Sequence, residues 1–136
     1  MKRNTWQVAA FLGVLLTTAV AVGQSNSVLE ADIPFPFVAG DHTLPAGHYE
    51  VSTLGQQSIR ISNSHHQGAF VLTSNADGRT PERSGKLVFN RYSGTYFLAQ
   101  VWGPAKSTGK QVYKSRSEEQ LKGEGINREI AVLRVE

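Results

Sequence analysis

Hydrophobic and polar residues alternate along most of the chain after residue 27, and this period of two is typical of β-strands. The first such segment, Leu29–Phe37, reads L-E-A-D-I-P-F-P-F, with Pro34 and Pro36 among its polar positions. Because proline has no amide hydrogen to donate to a neighbouring strand, we expect this segment at a sheet edge, or leaving the sheet after Ile33.

Two Ala-Gly steps follow the first strand, and the second belongs to the tetrapeptide Leu44–Gly47, L-P-A-G. Proline at the second position and glycine at the fourth suit a β-turn. We expect Gly47 to adopt a positive φ where the next strand, His48–Leu54, begins. The segment is therefore interpreted as a corner of a β-fold. A ligand-binding loop and a sorting signal are the alternatives, and the mid-chain position without a hydrophobic tail argues against sorting.

The densest aromatic stretch of the chain, Lys86–Trp102, reads K-L-V-F-N-R-Y-S-G-T-Y-F-L-A-Q-V-W and predicts a β-hairpin that turns at residues 93–94. Simple alternation places Phe97, Ala99 and Val101 on one face of the second arm. Both faces of both arms are mainly apolar, as expected for strands that are covered on both sides. Since a long exposed apolar edge invites aggregation, we expect the hairpin at the centre of the sheet.

The remaining elements complete an all-β prediction. Further strands are predicted at Gln57–Ser62, Ala69–Ser74, Gln111–Tyr113 and Glu129–Val135. The segment Ser115–Glu118 has the S-x-x-E form of a helix capping box, which predicts one or two helical turns over about Arg116–Lys122. Gly123 and Gly125 are expected to end this helix. The predicted fold is a small antiparallel sandwich or barrel of about seven or eight strands with one short surface helix near the C-terminus.

The N-terminus has the form of a secretory signal peptide. Two basic residues precede an apolar run, Val8–Val22, that is shorter than the ~20 residues needed to span a bilayer. Small residues then predict cleavage near Ala21 or Gly23, with an uncleaved anchor as the alternative. The predicted organisation is a signal peptide over 1–23 and a single secreted β-domain over 24–136. We therefore expect a periplasmic or extracellular location.

Charge and cysteine content narrow the classes of partner. Of the 14 basic residues, Lys2 and Arg3 lie in the signal peptide, which leaves 12 against 11 Asp and Glu residues and a net charge of +1. This near-neutral balance gives no case for nucleic-acid binding. The chain has no cysteine, which excludes thiol catalysis, thiolate metal sites and lipoprotein processing. We expect no cofactor, no stable membrane span after cleavage, and an envelope or extracellular partner of unknown identity.

The residues that could serve in catalysis or metal binding do not have the spacings of known catalytic or metal-binding motifs. The four histidines are His42, His48, His65 and His66, and none has an H-x-H or H-x-x-x-H spacing. Glu30 and Asp32 share one strand face, where exposed edge-strand acids are the favoured interpretation over paired catalytic carboxylates. No G-x-S-x-G element is present. The sequence therefore assigns no catalytic, metal or cofactor residue.

Two features remain as candidates for ligand binding. The loop at 78–85 carries Arg79 and Arg83, which offer an anion site, although a solvated loop is favoured. Five aromatic residues of the hairpin offer a sugar or lipid site, although core packing is favoured: Phe89, Tyr92, Tyr96, Phe97 and Trp102. The leading prediction is a non-enzymatic binding or structural protein of the cell envelope. A small barrel with an apolar ligand is the alternative, and a small hydrolase is less favoured.

Two motifs carry a resemblance that covers nearly all of the predicted secreted domain. The first is F-x-F-x-A-G-x-x-x-L-P-A-G-x-Y-x-V over Phe35–Val51, and the second is K-L-V-F-x-R-Y-x-x-x-Y-F-L-x-x-V-W over Lys86–Trp102. With these motifs the chain resembles a group of small secreted acidobacterial proteins to which no activity is assigned. The resemblance implies export and a compact β-domain, and it supplies no functional residues.

Overall fold

A computed structural model of the protein describes residues 28–78 and 80–135, which form ten strands and one helix. The elements are β1 (Val28–Ile33), β2 (Phe37–Ala39), β3 (His42–Leu44), β4 (Gly47–Leu54), β5 (Ser58–Ser62), β6 (Gly68–Asp77), β7 (Gly85–Tyr92), β8 (Thr95–Trp102), β9 (Thr108–Val112), α1 (Arg116–Gly123) and β10 (Arg128–Val135). The all-β class and the short helix near the C-terminus are confirmed. The strands outnumber the prediction because residues 37–44 form two short strands. The predicted signal peptide, 1–23, lies outside the described residues.

All ten strands belong to one mixed sheet. Its order is β1-β4-β5-β6-β9-β8-β2-β3, and β7 lies between β8 and β10. The pairing of β2 with β8 is parallel, and the other pairings are antiparallel. β8 therefore has β7 on one edge, and β9 and β2 along the other. This arrangement confirms the central position predicted for the hairpin.

The sheet curls around one hydrophobic core. The first half of β6 pairs with β5 and the second half with β9, so this strand joins the two halves of the sheet. At the edges, Leu29 of β1 lies close to Gly85 and Val135, the paired ends of β7 and β10. Backbone pairing between β1 and β10 is absent from the described residues. The fold is thus nearer to an open barrel than to a sandwich.

Both faces of the β7–β8 hairpin are covered, as its sequence predicts. Leu87 and Phe89 point into the core and are fully buried. On the other face Tyr92 and Phe97 meet edge to face, with ring centroids 5.9 Å apart, and both are buried. At the turn, Ser93 and its glycine neighbour have φ values of 48° and 89°, as a type I′ turn requires.

A β-bulge in β8 changes which of its side chains face the core. The register with β7 slips by one residue in the middle of the hairpin, and Ala99 is the additional residue. Because of this residue, Leu98 and Val101 both belong to the core. The predicted alternation, with Phe97, Ala99 and Val101 on one face, is therefore wrong beyond Ala99.

Helix α1 begins as predicted but uses its capping glutamate differently. Ser115 Oγ accepts a hydrogen bond from the Glu118 amide at 3.2 Å, which is one half of a capping box. The Glu118 carboxylate does not complete the box, because it accepts a hydrogen bond of 2.8 Å from Asn90 Nδ2 on β7. Helix α1 is closed by a Schellman motif after its last residue, Gly123, and Gly125 in that motif has a φ of +75°. Both glycines therefore lie at the end of the helix, as predicted.

The corner between β3 and β4 is held by a tyrosine. The Tyr49 hydroxyl donates a hydrogen bond of 2.6 Å to the Pro45 carbonyl, and the Tyr49 ring is fully buried. Burial raises the pKa of Tyr49 above its ordinary value. Gly47 does not have a positive φ, so the conformational role predicted for it is wrong; the left-handed glycine of this region is Gly40, with φ +60°.

We therefore expect Tyr49→Phe to lower the free energy of unfolding by about 1 kcal/mol, because it removes a hydrogen bond inside the corner. Gly47→Ala is the matched comparison. Its new Cβ would lie 3.7 Å from the Tyr49 ring, an ordinary contact, and we expect a change within about 0.5 kcal/mol. Urea denaturation of both variants measures the difference. A larger loss for Gly47→Ala than for Tyr49→Phe would contradict this account of the corner.

Candidate functional site

Two cavities flank the connection between β8 and β9 at one end of the curled sheet, which we call the open end. The first is an apolar pocket of about 170 Å³. Its lining includes the core residues Leu29, Val51, Ile59 and Val101, with Lys106 at the connection. For comparison, an engineered apolar cavity of about 150 Å³ accepts a benzene molecule. The pocket therefore has room for one small apolar group.

The second cavity at the open end is polar and has a volume of about 400 Å³. Its side-chain lining combines hydroxyl, carboxylate and ammonium groups with one indole ring: Asp77, Thr80, Glu82, Ser84, Lys86, Gln100, Trp102 and Lys106 are among its residues. We call this cavity the Trp102 groove. Its volume lies within the ~300–1,000 Å³ of ordinary small-molecule sites.

The indole ring of Trp102 is held firmly in the wall of the groove. Its Nε1 donates a hydrogen bond of 3.0 Å to Gln100 Oε1, and Gln100 Nε2 donates one of 2.8 Å to Gln111 Oε1. Gly109 lies against the ring so closely that a Cβ there would stand 2.6 Å from Trp102 Cδ2. The ring is nevertheless half-buried rather than buried. The local structure thus fixes an aromatic surface that is in contact with solvent.

A cation stands near the Trp102 ring. Lys86 Nζ lies 5.5 Å from the ring centroid and 3.3 Å from Glu82 Oε1. The other oxygen of Glu82 lies 3.8 Å from Arg134 Nη1. All of these charged groups are at least partly exposed, and such ion pairs typically contribute about 0–1 kcal/mol. Lys86 therefore leaves the ring at small energetic cost.

The histidines are dispersed over the surface. His42 is exposed on β3, and His65 and His66 are exposed in the turn between β5 and β6. Across the described ranges, the histidine and acidic side chains form no group of three that is arranged to hold a metal ion. Among the described residues, one histidine lies close to the acidic residues that the sequence suggested as candidates.

That histidine is His48, which lies beside Asp32 and Glu30 on the outer face of β1 and β4. His48 Nδ1 is 2.6 Å from Asp32 Oδ1, and Nε2 is 3.9 Å from Glu30 Oε2. The hydrogen bond to Asp32 raises the pKa of His48 above its ordinary value of 6.5, and the charges of both carboxylates add to it. All three side chains are exposed, so the cluster has the character of a solvated ion-pair network.

The His48 cluster predicts a weak pH dependence. A raised pKa means that the protonated imidazole is stabilised in the folded protein, so this contribution is complete below pH 6.5 and is lost as the pH rises through the raised pKa. We expect an NMR titration of His48 to give a pKa above 6.5, and Asp32→Asn to lower it. A His48 pKa that Asp32→Asn leaves unchanged would be incompatible with this geometry.

The candidate aromatics divide into two groups. Phe89, Tyr92 and Phe97 are buried, which confirms core packing for these three. Tyr96 is half-buried and stacks on Phe35 with ring centroids 3.8 Å apart. Tyr96 also lines a pocket of about 180 Å³ with Phe37. Trp102 is different because it faces the groove. Of the loop arginines, Arg83 is exposed and Arg79 lies outside the described residues.

Among the described residues, no helix is both long and apolar enough to cross a membrane. Comparison of the chain with protein-family models, with curated proteins and with solved structures gives no match. The function of the protein is therefore inferred from the geometry of the open end.

Proposed function

We propose that this protein is an exported, non-enzymatic binding protein of the cell envelope, and that it binds its ligand at the open end of the curled sheet. The observation that carries this proposal is the fixed, half-exposed indole of Trp102 in the wall of a 400 Å³ groove. Tryptophan is highly buried on average but seldom fully buried, and ligand sites combine aromatic surfaces with a few convergent polar groups. Export rests on the predicted signal peptide.

The side chains of the groove favour binding over catalysis. General acid-base catalysis needs a titratable group that is free to exchange a proton with a substrate. Both oxygens of Glu82 are already within 3.3 Å and 3.8 Å of cationic nitrogens, and no histidine is among the described lining residues. The other described carboxylate of the lining, Asp77, makes no hydrogen bond to Ser84, so this hydroxyl has no base in contact with it among the described residues. The groove offers hydrogen-bonding groups and an aromatic face.

Tryptophan fluorescence can report on the Trp102 groove alone, because the sequence contains only two tryptophans. In the full-length protein, the Trp6→Phe substitution leaves Trp102 as the single indole, whether or not the predicted signal peptide has been removed. We expect soluble fragments of the host cell envelope to change the Trp102 emission in a saturable manner. An emission spectrum that no envelope fraction changes, together with calorimetry that detects no binding, would overturn the proposal.

A matched pair of variants locates the binding. Ser84→Phe places a ring in the groove, whereas Ser64→Phe places the same ring in the exposed turn between β5 and β6. We expect Ser84→Phe to abolish the emission change and Ser64→Phe to leave it intact, with both variants folded by circular dichroism. Equal effects of the two substitutions would place the ligand elsewhere.

The apolar pocket supports a second candidate, a ligand with a small apolar group. The pocket is lined by Val51, Ile59 and Val101 and has Lys106 at its margin, which suits a short alkyl chain with an anionic end. We expect affinity for alkyl carboxylates to rise with chain length until the pocket is filled, and Thr53→Phe to remove this trend. Affinity that does not depend on chain length would exclude this candidate.

Export has its own test. We expect N-terminal sequencing of protein recovered from the periplasm and medium of the host to begin just after Ala21 or Gly23. The small-residue pattern and the preceding apolar run are the physical basis of this expectation. A cytoplasmic pool that retains Met1, with none in the periplasm or medium, would be incompatible with export.

A further inference from the structure

We infer that the Trp102 groove binds an uncharged saccharide. This inference rests on the proposed binding function and adds the chemical class of the ligand. Three properties of the groove support it: its charge balance, its aromatic face and the rigidity of that face.

The charged groups of the groove balance one another among the residues that the structure describes. These lining residues include two carboxylates, Asp77 and Glu82, and two ammonium groups, Lys86 and Lys106. An anion would meet the two carboxylates and a cation the two ammonium groups, so an ionic ligand of either sign encounters repulsion within the same cavity. An uncharged ligand with many hydroxyls avoids this repulsion. Its hydroxyls also find both donors and acceptors, since ammonium groups donate and carboxylates accept hydrogen bonds.

The Trp102 ring supplies the apolar component that a saccharide needs. A pyranose ring is polar at its rim, but the C–H groups on its faces form a flat apolar surface that matches an indole. Gly109 covers one side of the Trp102 ring, and Lys86 stands 5.5 Å from the ring centroid. Because the Lys86 contact is weak and partly exposed, a sugar ring can take its place while the ammonium group turns to its hydroxyls.

The ring is also rigid before any ligand arrives. The hydrogen bonds through Gln100 to Gln111 set the orientation of the indole, and the glycine behind it prevents the ring from moving backwards. Binding to a surface that is already in position avoids the entropic cost of ordering a side chain. This arrangement is of most use to a weakly attractive ligand such as a neutral sugar.

The experiment compares sugars of three charge types on the Trp6→Phe protein. The neutral probes are maltotriose, cellotriose and tri-N-acetylchitotriose; the anionic probe is trigalacturonate, and the cationic probe is the fully deacetylated chitosan trimer. We expect at least one neutral trisaccharide to change the Trp102 emission and to give a measurable heat of binding. We expect the two charged trimers to bind at least about tenfold more weakly, a difference of 1.4 kcal/mol.

Two substitutions of Trp102 then test whether stacking of the sugar on the indole is responsible for binding. Trp102→Leu keeps an apolar side chain but removes the aromatic face, and calorimetry should show about a tenfold or greater loss of affinity, whereas Trp102→Phe should lose less. Tyr113→Phe, at an exposed aromatic on another part of the surface, should leave affinity unchanged. If Trp102→Leu does not fold, Ser84→Phe serves in its place because it obstructs the groove.

The outcomes separate this inference from the proposed function. Binding of envelope fragments without binding of any neutral trisaccharide overturns the saccharide class and leaves the binding function standing. Preferential binding of trigalacturonate or of the chitosan trimer overturns the inference that the saccharide is uncharged and leaves the binding function standing. Neutral sugar that binds Trp102→Leu as tightly as the parent overturns the groove as the site. A complete absence of binding to sugars and envelope fragments overturns both proposals.

Discussion

Phe89→Ala is expected to lower the free energy of unfolding by about 3–5 kcal/mol, a large part of the total stability of a small domain. The Phe89 ring is fully buried and is the hub of an aromatic cluster. Its centroid lies 5.0 Å from that of Phe35, 5.7 Å from that of Phe37 and 6.5 Å from that of Tyr96. Truncation therefore removes several edge-to-face contacts and leaves a cavity in the core.

The chain offers a matched control for this substitution. Phe70 on β6 is 71% exposed, so Phe70→Ala should change the stability by no more than about 0.5 kcal/mol. Phe97→Ala should resemble Phe89→Ala, because Phe97 is buried against Tyr92 on the opposite face of the hairpin. Chemical denaturation of the three variants measures these differences. A loss below about 1 kcal/mol for Phe89→Ala would show that the hairpin does not hold the core.

Glu118→Ala is the second large effect, with an expected loss of about 2–3 kcal/mol. The Glu118 side chain is 3% exposed, and its carboxylate accepts the hydrogen bond from the buried Asn90. Alanine leaves the amide of Asn90 without this acceptor and removes a contact that links α1 to β7. The helix itself has little apolar surface to replace that link, since Leu121 is its one large aliphatic residue.

Two further substitutions and the pKa of Tyr92 provide controls for this test. Glu118→Gln retains an acceptor for Asn90 and should cost less than half as much as Glu118→Ala, whereas Glu119→Ala, at an exposed position, should be nearly silent. Burial raises the pKa of Tyr92, and the charge of Glu118 raises it further. Glu118→Gln should therefore lower the Tyr92 pKa in an NMR titration. An unchanged Tyr92 pKa, or equal stability of the alanine variants at 118 and 119, would refute this link.

The elements that local pattern determines were predictable from the sequence. The hairpin turn at 93–94 requires residues that accept positive φ, and the apolar character of both arms indicates two covered faces. The start of α1 follows from Ser115, whose hydroxyl satisfies a free amide of the first turn. The edge position of β1 and its end at Ile33 follow from the prolines beyond it.

Features that depend on distant residues were not predictable in this way. The bulge at Ala99 changes the phase of β8 without any local mark in the sequence. Glu118 lies in the expected capping position, but its carboxylate turns toward Asn90, a partner 28 residues away. Gly47 follows a proline turn and yet has no positive φ, because it is already the first residue of β4 and pairs with Ile33 of β1.

The candidate site, too, has features that were predictable from local sequence and features that depend on distant residues. The sequence identified Trp102 as one of five aromatics with two possible roles. Only the tertiary structure separates it from the three buried members of that set, Phe89, Tyr92 and Phe97, and from the half-buried Tyr96. The described lining residues of the Trp102 groove lie within 77–78, 80–88 and 100–106, and Gly109 against the ring belongs to a further segment. The hydrogen bond from Gln100 to Gln111 joins two strands. No local periodicity reports such contacts.

The central claim is that ligand binds at the open end, and NMR shift mapping of the ¹⁵N-labelled Trp6→Phe protein with soluble host envelope fragments tests it most directly. We predict the largest shifts at the single indole N–H of Trp102 and at the amides of Gly78, Lys106 and Gly109. Shifts confined to the opposite end, around His48 and His65, or an indole signal that does not move while other signals do, would contradict the claim.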